Sequence, residues 1–186
     1  ETVGVKLNME MAMADEVVAI AEKLKPEQST LVPERRQELT TEGGLDVARF
    51  RDRAKVVVAR LKSAGIVASA FIEPILEQLR ASKEVGFNAV ELWTGAFAHA
   101  KTTQQREKAL ADLSGAIEEG RRLGLDVHAG HGLTYRNVAG VAALPGLSEF
   151  NIGHSIVARA VYVGVRAAVR EMKELLEKYS PRHQCH

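Results

Sequence analysis

Apolar and polar positions come in alternating blocks along the chain. Six times a short run of apolar, β-forming residues stops at a polar or glycine-rich cluster, and a stretch with helical periodicity follows. The runs predict strands over 4–9, 29–32, 66–72, 89–93, 125–129 and 148–152, each short and mostly apolar, as strands buried on both faces are. The intervening periodicity predicts helices over 14–25, 46–64, 74–85, 103–123, 135–144 and 155–179. Gly65, Gly86 and Gly124 each follow a run of helix formers, where a left-handed stop belongs, and Pro74 suits a first helical turn.

Strict strand–helix alternation implies β-α-β crossovers and an α/β fold with a parallel sheet. Such a sheet is either open and doubly wound or closed into a barrel. The first strand turn carries no G-x-G-x-x-G fingerprint, and chemically capable residues follow most strands instead of one switch point, so the TIM-type (β/α)8 barrel is favoured. A full barrel has eight strands in roughly 250 residues, and only six are visible here. Residues 1–179 therefore read as units three to eight of a barrel, with two units of roughly 60 residues expected ahead of them. Residues 180–186 read as a flexible tail.

Composition narrows the picture further. The 186 residues are 46% hydrophobic, enough for one domain with a sizeable core, and 25 Lys and Arg against 24 Asp and Glu give no global attraction to nucleic acid or anionic lipid. The single cysteine, Cys185, permits no intrachain disulfide; with His183 and His186 it lies in the tail, and these three residues are assigned no metal. No segment approaches the ~20 apolar residues that span a bilayer, so a cytoplasmic protein is expected. The chain starts at Glu1-Thr2-Val3 and enters a strand almost at once, which reads as the middle of a longer protein.

The candidate chemistry sits in the polar clusters. In Gly130-His131-Gly132 the glycines permit a tight turn and close approach of N–H groups to an anion, and the imidazole can exchange protons near neutral pH. The competing assignment is a histidine that only caps the next helix. His128 falls inside the strand pattern and reads as a satisfied core group or one that supports the site from behind. Asn151-Ile152-Gly153-His154 opens the longest predicted helix, and N–H groups at such a start form a phosphate cradle of the kind barrels place after their seventh and eighth strands. A plain left-handed turn is the alternative there.

Two carboxylates also end strands. Glu10 stands among Leu7, Met9 and Met11, and Glu91 lies between Val90 and Leu92. Apolar neighbours remove water from a carboxyl and raise its pKa toward the range of general acids and bases. Each alone is more often a cap or an ion-pair residue; two at strand ends of one barrel strengthen the catalytic assignment. The polar segment 33–44 is long for a βα loop, where about 2–6 residues are usual. Within it Thr40, Thr41 and Gly43-Gly44 read as a contact surface, while Glu34, Arg35, Arg36 and Glu38 read as solvated charge, as do the charges of the 46–62 stretch. Structural-zinc spacing, a G-x-S-x-G elbow, a Walker loop and a basic stripe with interleaved aromatics are all absent from the sequence.

These clusters carry a resemblance. LNMEMA at 7–12, LVPERRQELTTEGGLDV at 31–47, VELWTG at 90–95, AGHGLTYRNV at 129–138 and NIGHSIVARAV at 151–161 closely resemble the pyridoxine 5′-phosphate synthase family of the deoxyxylulose-5-phosphate-dependent vitamin B6 pathway, in the family's order. The resemblance implies a (β/α)8 barrel that condenses 1-deoxy-D-xylulose 5-phosphate with 3-amino-2-oxopropyl phosphate to give pyridoxine 5′-phosphate, phosphate and water. It implies no metal or redox cofactor, no nucleic-acid or membrane partner, and a homo-octamer built from dimers. Imine formation, enolisation, loss of phosphate and water, and aldol-type closure are then left to acid–base catalysis. Carried over by motif, Glu10 resembles the family's general base, His131 its second acid–base group, and Glu91 the carboxylate that stabilises the transition state. Thr40 corresponds to a contact with the deoxyxylulose phosphate, and Gly132, Gly153 and His154 to the site of the amino-oxopropyl phosphate.

Two departures accompany the match. The family's N-terminal Asn-x-Asp-His segment and its catalytic histidine in a His-x-Arg-Glu-Asp stretch have no counterpart here, and Trp93 stands where an E-x-H-T-G motif has histidine. An indole cannot shuttle protons, so packing or stacking is expected at that position. Two other readings stay open at this point: another phosphosugar barrel enzyme, such as an epimerase or aldolase, and a non-catalytic barrel remnant.

Overall fold

The structure, a computed structural model, describes residues 4–34 and 43–181. Six parallel strands form one sheet in the order β1 to β6, which are Asn8–Met11, Gln28–Leu31, Val67–Ile72, Ala89–Trp93, Asp126–Gly130 and Glu149–Asn151. Spatial order equals sequence order, so the sheet has no switch point; it is six units of a barrel and not a doubly wound sheet. Its edges curl toward each other: Lys6, just ahead of β1, forms an ion pair with Glu149 of β6.

Side chains alternate across this sheet as the pleat requires. Met11, Leu31, Ala70, Ile72, Leu92 and Ala129 face the helices and build the core. The other face carries the polar set. Asn8, Gln28 and Thr30 are linked there by hydrogen bonds, with Thr30 Oγ1 donating to Asn8 Oδ1 at 2.9 Å. The strands are therefore apolar on one face only, a departure from the expected apolar runs, because a barrel lumen that holds a site is lined with polar groups.

The helical layer comprises α1 (Asp15–Leu24), α2 (Arg51–Ser63), α3 (Leu76–Val85), α4 (Gly95–Ala98), α5 (Thr103–Arg122), α6 (Val138–Ala142), α7 (His154–Val163) and α8 (Val165–Tyr179). Several differ from the expected ranges for local reasons. The single helix expected over 155–179 is broken at Gly164, whose φ of 81° and ψ of 152° lie outside any helix. The longest helix is consequently α5, of 20 residues, started by a capping box between Thr102 and Gln105. Helix α2 begins at Arg51 and not at Asp46, because the Asp46 carboxylate accepts from the Arg49 amide and from Gln78, fixing a turn instead. The first strand begins at Asn8, where the ladder with Gln28 starts, four residues later than expected. The outer charges are also not merely solvated: Arg60 of α2 binds Asp15 and Glu22 of α1, and Arg53 binds Asp15.

Candidate active site

The strand C-termini open onto a cleft of about 790 Å3, lined among others by Glu10, Phe71, Glu91, His131, Asn151 and His154. Register brings these side chains to one face: Phe71 lies opposite Glu91 on neighbouring strands, and Gly130 lies opposite Asn151. Gly132, Gly153 and Ser155 complete the same wall. Of the sequence-selected residues, Glu10, Glu91, His131, Gly132, Gly153 and His154 thus share one cleft. Thr40 lies outside the described residues.

Glu91 is the desolvated carboxylate of the site, only 4% exposed. Its Oε2 accepts a hydrogen bond from Asn151 Nδ2, and its Oε1 occupies the space above Gly130, where an added Cβ would come within 2.0 Å. Burial pushes the Glu91 carboxyl up to about 7; the Asn151 hydrogen bond opposes that rise, while the negative charges of Glu10 and Glu149 add to it. A carboxyl poised there both gives and takes protons at neutral pH. Glu10 differs from expectation. It is exposed, not desolvated, because β1 is an edge strand of this sheet and its inner face stays open to solvent.

His131 projects from a strained turn. Its φ is 80°, and among the described residues only Lys25, at a helix end, is another non-glycine with positive φ; Gly132 follows at 72°. Three rings surround the imidazole: Trp93 at 6.0 Å between centroids, Phe71 at 6.3 Å and His99 edge-on at 6.3 Å. Partial burial, followed by the nearby His99 and His154, holds the His131 pKa below the ordinary histidine value. The ring is therefore mainly neutral around pH 7 and able to accept a proton. Trp93 has the packing role expected of it: its indole lies against Gly43 and Gly95, and a Cβ at Gly95 would sit 2.0 Å from the ring.

At the start of α7, Gly153 is the N-cap and is exposed, with His154 and Ser155 next to it on the cleft wall. First-turn N–H groups have no intrahelical acceptor and favour anions. His128 is buried as expected but only half satisfied: Nε2 lies 3.2 Å from Asp126 Oδ2, and Nδ1 has no hydrogen-bond partner among the described residues. Sequence reasoning missed two contributors: Asn151 as the partner of Glu91 and Thr94 beneath the His131 turn. The signal for Asn151 was its place on the inner face of β6, which needs the register to be known. No helix among the described residues is long and apolar enough to cross a membrane.

Comparisons with known proteins bear on the family and the fold. Residues 1–178 match the family model described as "Pyridoxal phosphate biosynthesis protein PdxJ". The chain is 54% identical over 176 residues to the pyridoxine 5′-phosphate synthase of Syntrophotalea carbinolica, covering 95% of this chain and 74% of that protein. It is 51% identical over 177 residues to the synthase of Geobacter sulfurreducens, again with 95% and 74% covered. Among solved structures, a xylose isomerase domain protein from Planctomyces limnophilus aligns with a TM-score of 0.58 at 13% identity, over 97% of this chain and 73% of its own. The citrate synthase SbnG aligns with a TM-score of 0.53 at 10% identity, over 92% and 73%. At such identities these two show the fold alone.

Proposed function

Because the chain belongs to the PdxJ family, we propose that its cleft performs the pyridoxine 5′-phosphate synthase reaction with Glu10, Glu91 and His131 as the proton-transfer groups. The observation that carries the assignment is their convergence on one cleft at the strand C-termini, together with the α7 N-terminus.

The reaction joins 1-deoxy-D-xylulose 5-phosphate to 3-amino-2-oxopropyl phosphate through an imine. Each later step, enolisation, elimination and ring closure, moves a proton to or from carbon or oxygen. Glu10, exposed at the cleft, serves as the base that removes a carbon-bound proton. His131, neutral at physiological pH, accepts a proton and returns it to a leaving or carbonyl oxygen. Glu91 is close to half protonated at neutral pH, so it donates a hydrogen bond to a developing oxyanion or accepts one from a developing cation. Gly132, Gly153 and His154 hold the phosphate of the amino-oxopropyl substrate, consistent with the anion preference of a helix start. Thr40 contacts the deoxyxylulose phosphate. An octameric assembly and a cytoplasmic setting form part of the same proposal and rest on family membership.

The test is product analysis. With both phosphorylated substrates present, the protein forms pyridoxine 5′-phosphate and releases inorganic phosphate; neither appears with one substrate alone. Conversion of deoxyxylulose phosphate alone into an isomer or cleavage products would instead assign epimerase or aldolase chemistry.

A further inference from the structure

Four consecutive carbonyls, those of residues 130–133, are each held by a donor from another element. The Thr94 amide donates to the Gly130 carbonyl at 2.9 Å. The Thr94 hydroxyl lies 2.8 Å from that same oxygen and also contacts the carbonyl of His131. Asn137 Nδ2 donates to the Gly132 carbonyl at 3.1 Å, and Ser155 Oγ donates to the Leu133 carbonyl at 2.9 Å. With one proton to give, the Thr94 hydroxyl sits between the Gly130 and His131 carbonyls and fastens the turn at both.

We propose that Thr94, supported by Asn137 and Ser155, is a positioning residue: its hydroxyl clamps the His131 carbonyl and keeps this backbone left-handed, so that the imidazole stays inside its ring cage and faces the cleft. Left-handed geometry is unfavourable for a residue with a Cβ and persists only where the surroundings impose it. Thr94 is fully buried, directly follows β4, and is not itself among the residues that line the cleft, so its influence on the chemistry runs through His131, which is. Its neighbour Trp93 forms one side of the cage, which makes the end of β4 both the wall and the fastening of the His131 turn. The proposal rests on His131 being a proton-transfer group of the synthase reaction.

The experiment compares Thr94→Val, which keeps shape and removes the donor, with Thr94→Ser, which keeps the donor. Two readouts are taken on each protein: the NMR titration of the His131 ring, assigned with His131→Asn, and steady-state formation of pyridoxine 5′-phosphate. In Thr94→Val the ring leaves its cage, so its titration midpoint moves up toward the ordinary value of about 6.5. In the same variant kcat falls about 10- to 100-fold while KM changes less than about threefold. Thr94→Ser stays near wild type in both. An unmoved midpoint with near-normal kcat in Thr94→Val overturns the clamp, as does a Thr94→Ser variant that behaves like Thr94→Val. If Thr94→Val does not fold, Asn137→Ala replaces it, with the same upward shift expected and an unmoved midpoint refuting the clamp. A shifted midpoint in a protein whose wild type forms no product would uphold the clamp and reject the synthase assignment.

Discussion

Replacing Glu91 by Gln should make the protein more stable at alkaline pH and less active at the same time. The reasoning follows the carboxyl through folding. Its pKa in the folded protein is about 7, against an ordinary value of 4.5, and the first cause is burial. A group whose folded pKa is raised binds its proton more tightly in the folded state, so stability is greatest below the unfolded value. It falls as pH rises from about 4.5 to about 7, and the loss is complete above that. At about 1.4 kcal/mol per pKa unit, the ionised Glu91 costs about 3 kcal/mol of stability in alkaline solution. Gln has nearly the same shape, still accepts the Asn151 hydrogen bond, and never ionises. Urea unfolding at about pH 4 should therefore give similar stabilities for the two proteins, and at about pH 8.5 the variant should be more stable by about 3 kcal/mol. Turnover should fall by about 10²-fold, since a proton-transfer group is lost. If stability in wild type and variant changes in parallel with pH, Glu91 does not titrate with a raised pKa, and its assignment as a group poised near neutrality fails.

Other substitutions probe the same architecture. Gly130→Ala would place a methyl within 2.0 Å of Glu91 Oε1, so the carboxylate must leave its position; turnover should drop about 10²-fold with substrate KM little changed, measured by steady-state kinetics. Asn151→Leu removes the contact that favours ionised Glu91, so the Glu91 midpoint, followed by carboxyl NMR, should rise further above 7. Gly95→Ala would drive a methyl into the Trp93 ring at 2.0 Å and should destabilise the protein by about 1–3 kcal/mol in urea unfolding, because packed cores yield poorly to added volume.

Much of the fold is legible along the chain because strands and helices differ in period. Strand β4 occupies 89–93 in both the pattern and the structure, and α3 and α5 end within a residue of expectation before Gly86 and Gly124. What was not legible depended on context. Gly164 sits inside an apolar helical stretch, where glycine is tolerated at modest cost, and nothing local shows that its φ turns positive there. The polar inner face was hidden because Ser69 and His128 are each single polar residues among apolar neighbours, and Gln28 stands just ahead of the run that marked the second strand.

The site divides in the same way. His131, Gly132, Gly153 and the two glutamates stand at strand ends, where barrel geometry collects function, so their positions could be inferred from the pattern. Their environments could not. Glu10 and Glu91 both have apolar sequence neighbours, yet Glu91 is buried on an interior strand and Glu10 is exposed on an edge strand. The Glu91–Asn151 and Thr94–His131 contacts join residues 60 and 37 positions apart, and only the strand register brings them together.

The claim that one acid–base cleft carries the reaction is tested most directly by pyridoxine 5′-phosphate formation in Glu10→Gln. The account predicts a loss of turnover of about 10²-fold or more, with circular dichroism and urea midpoint unchanged because Glu10 is exposed. Turnover within about threefold of wild type would contradict it.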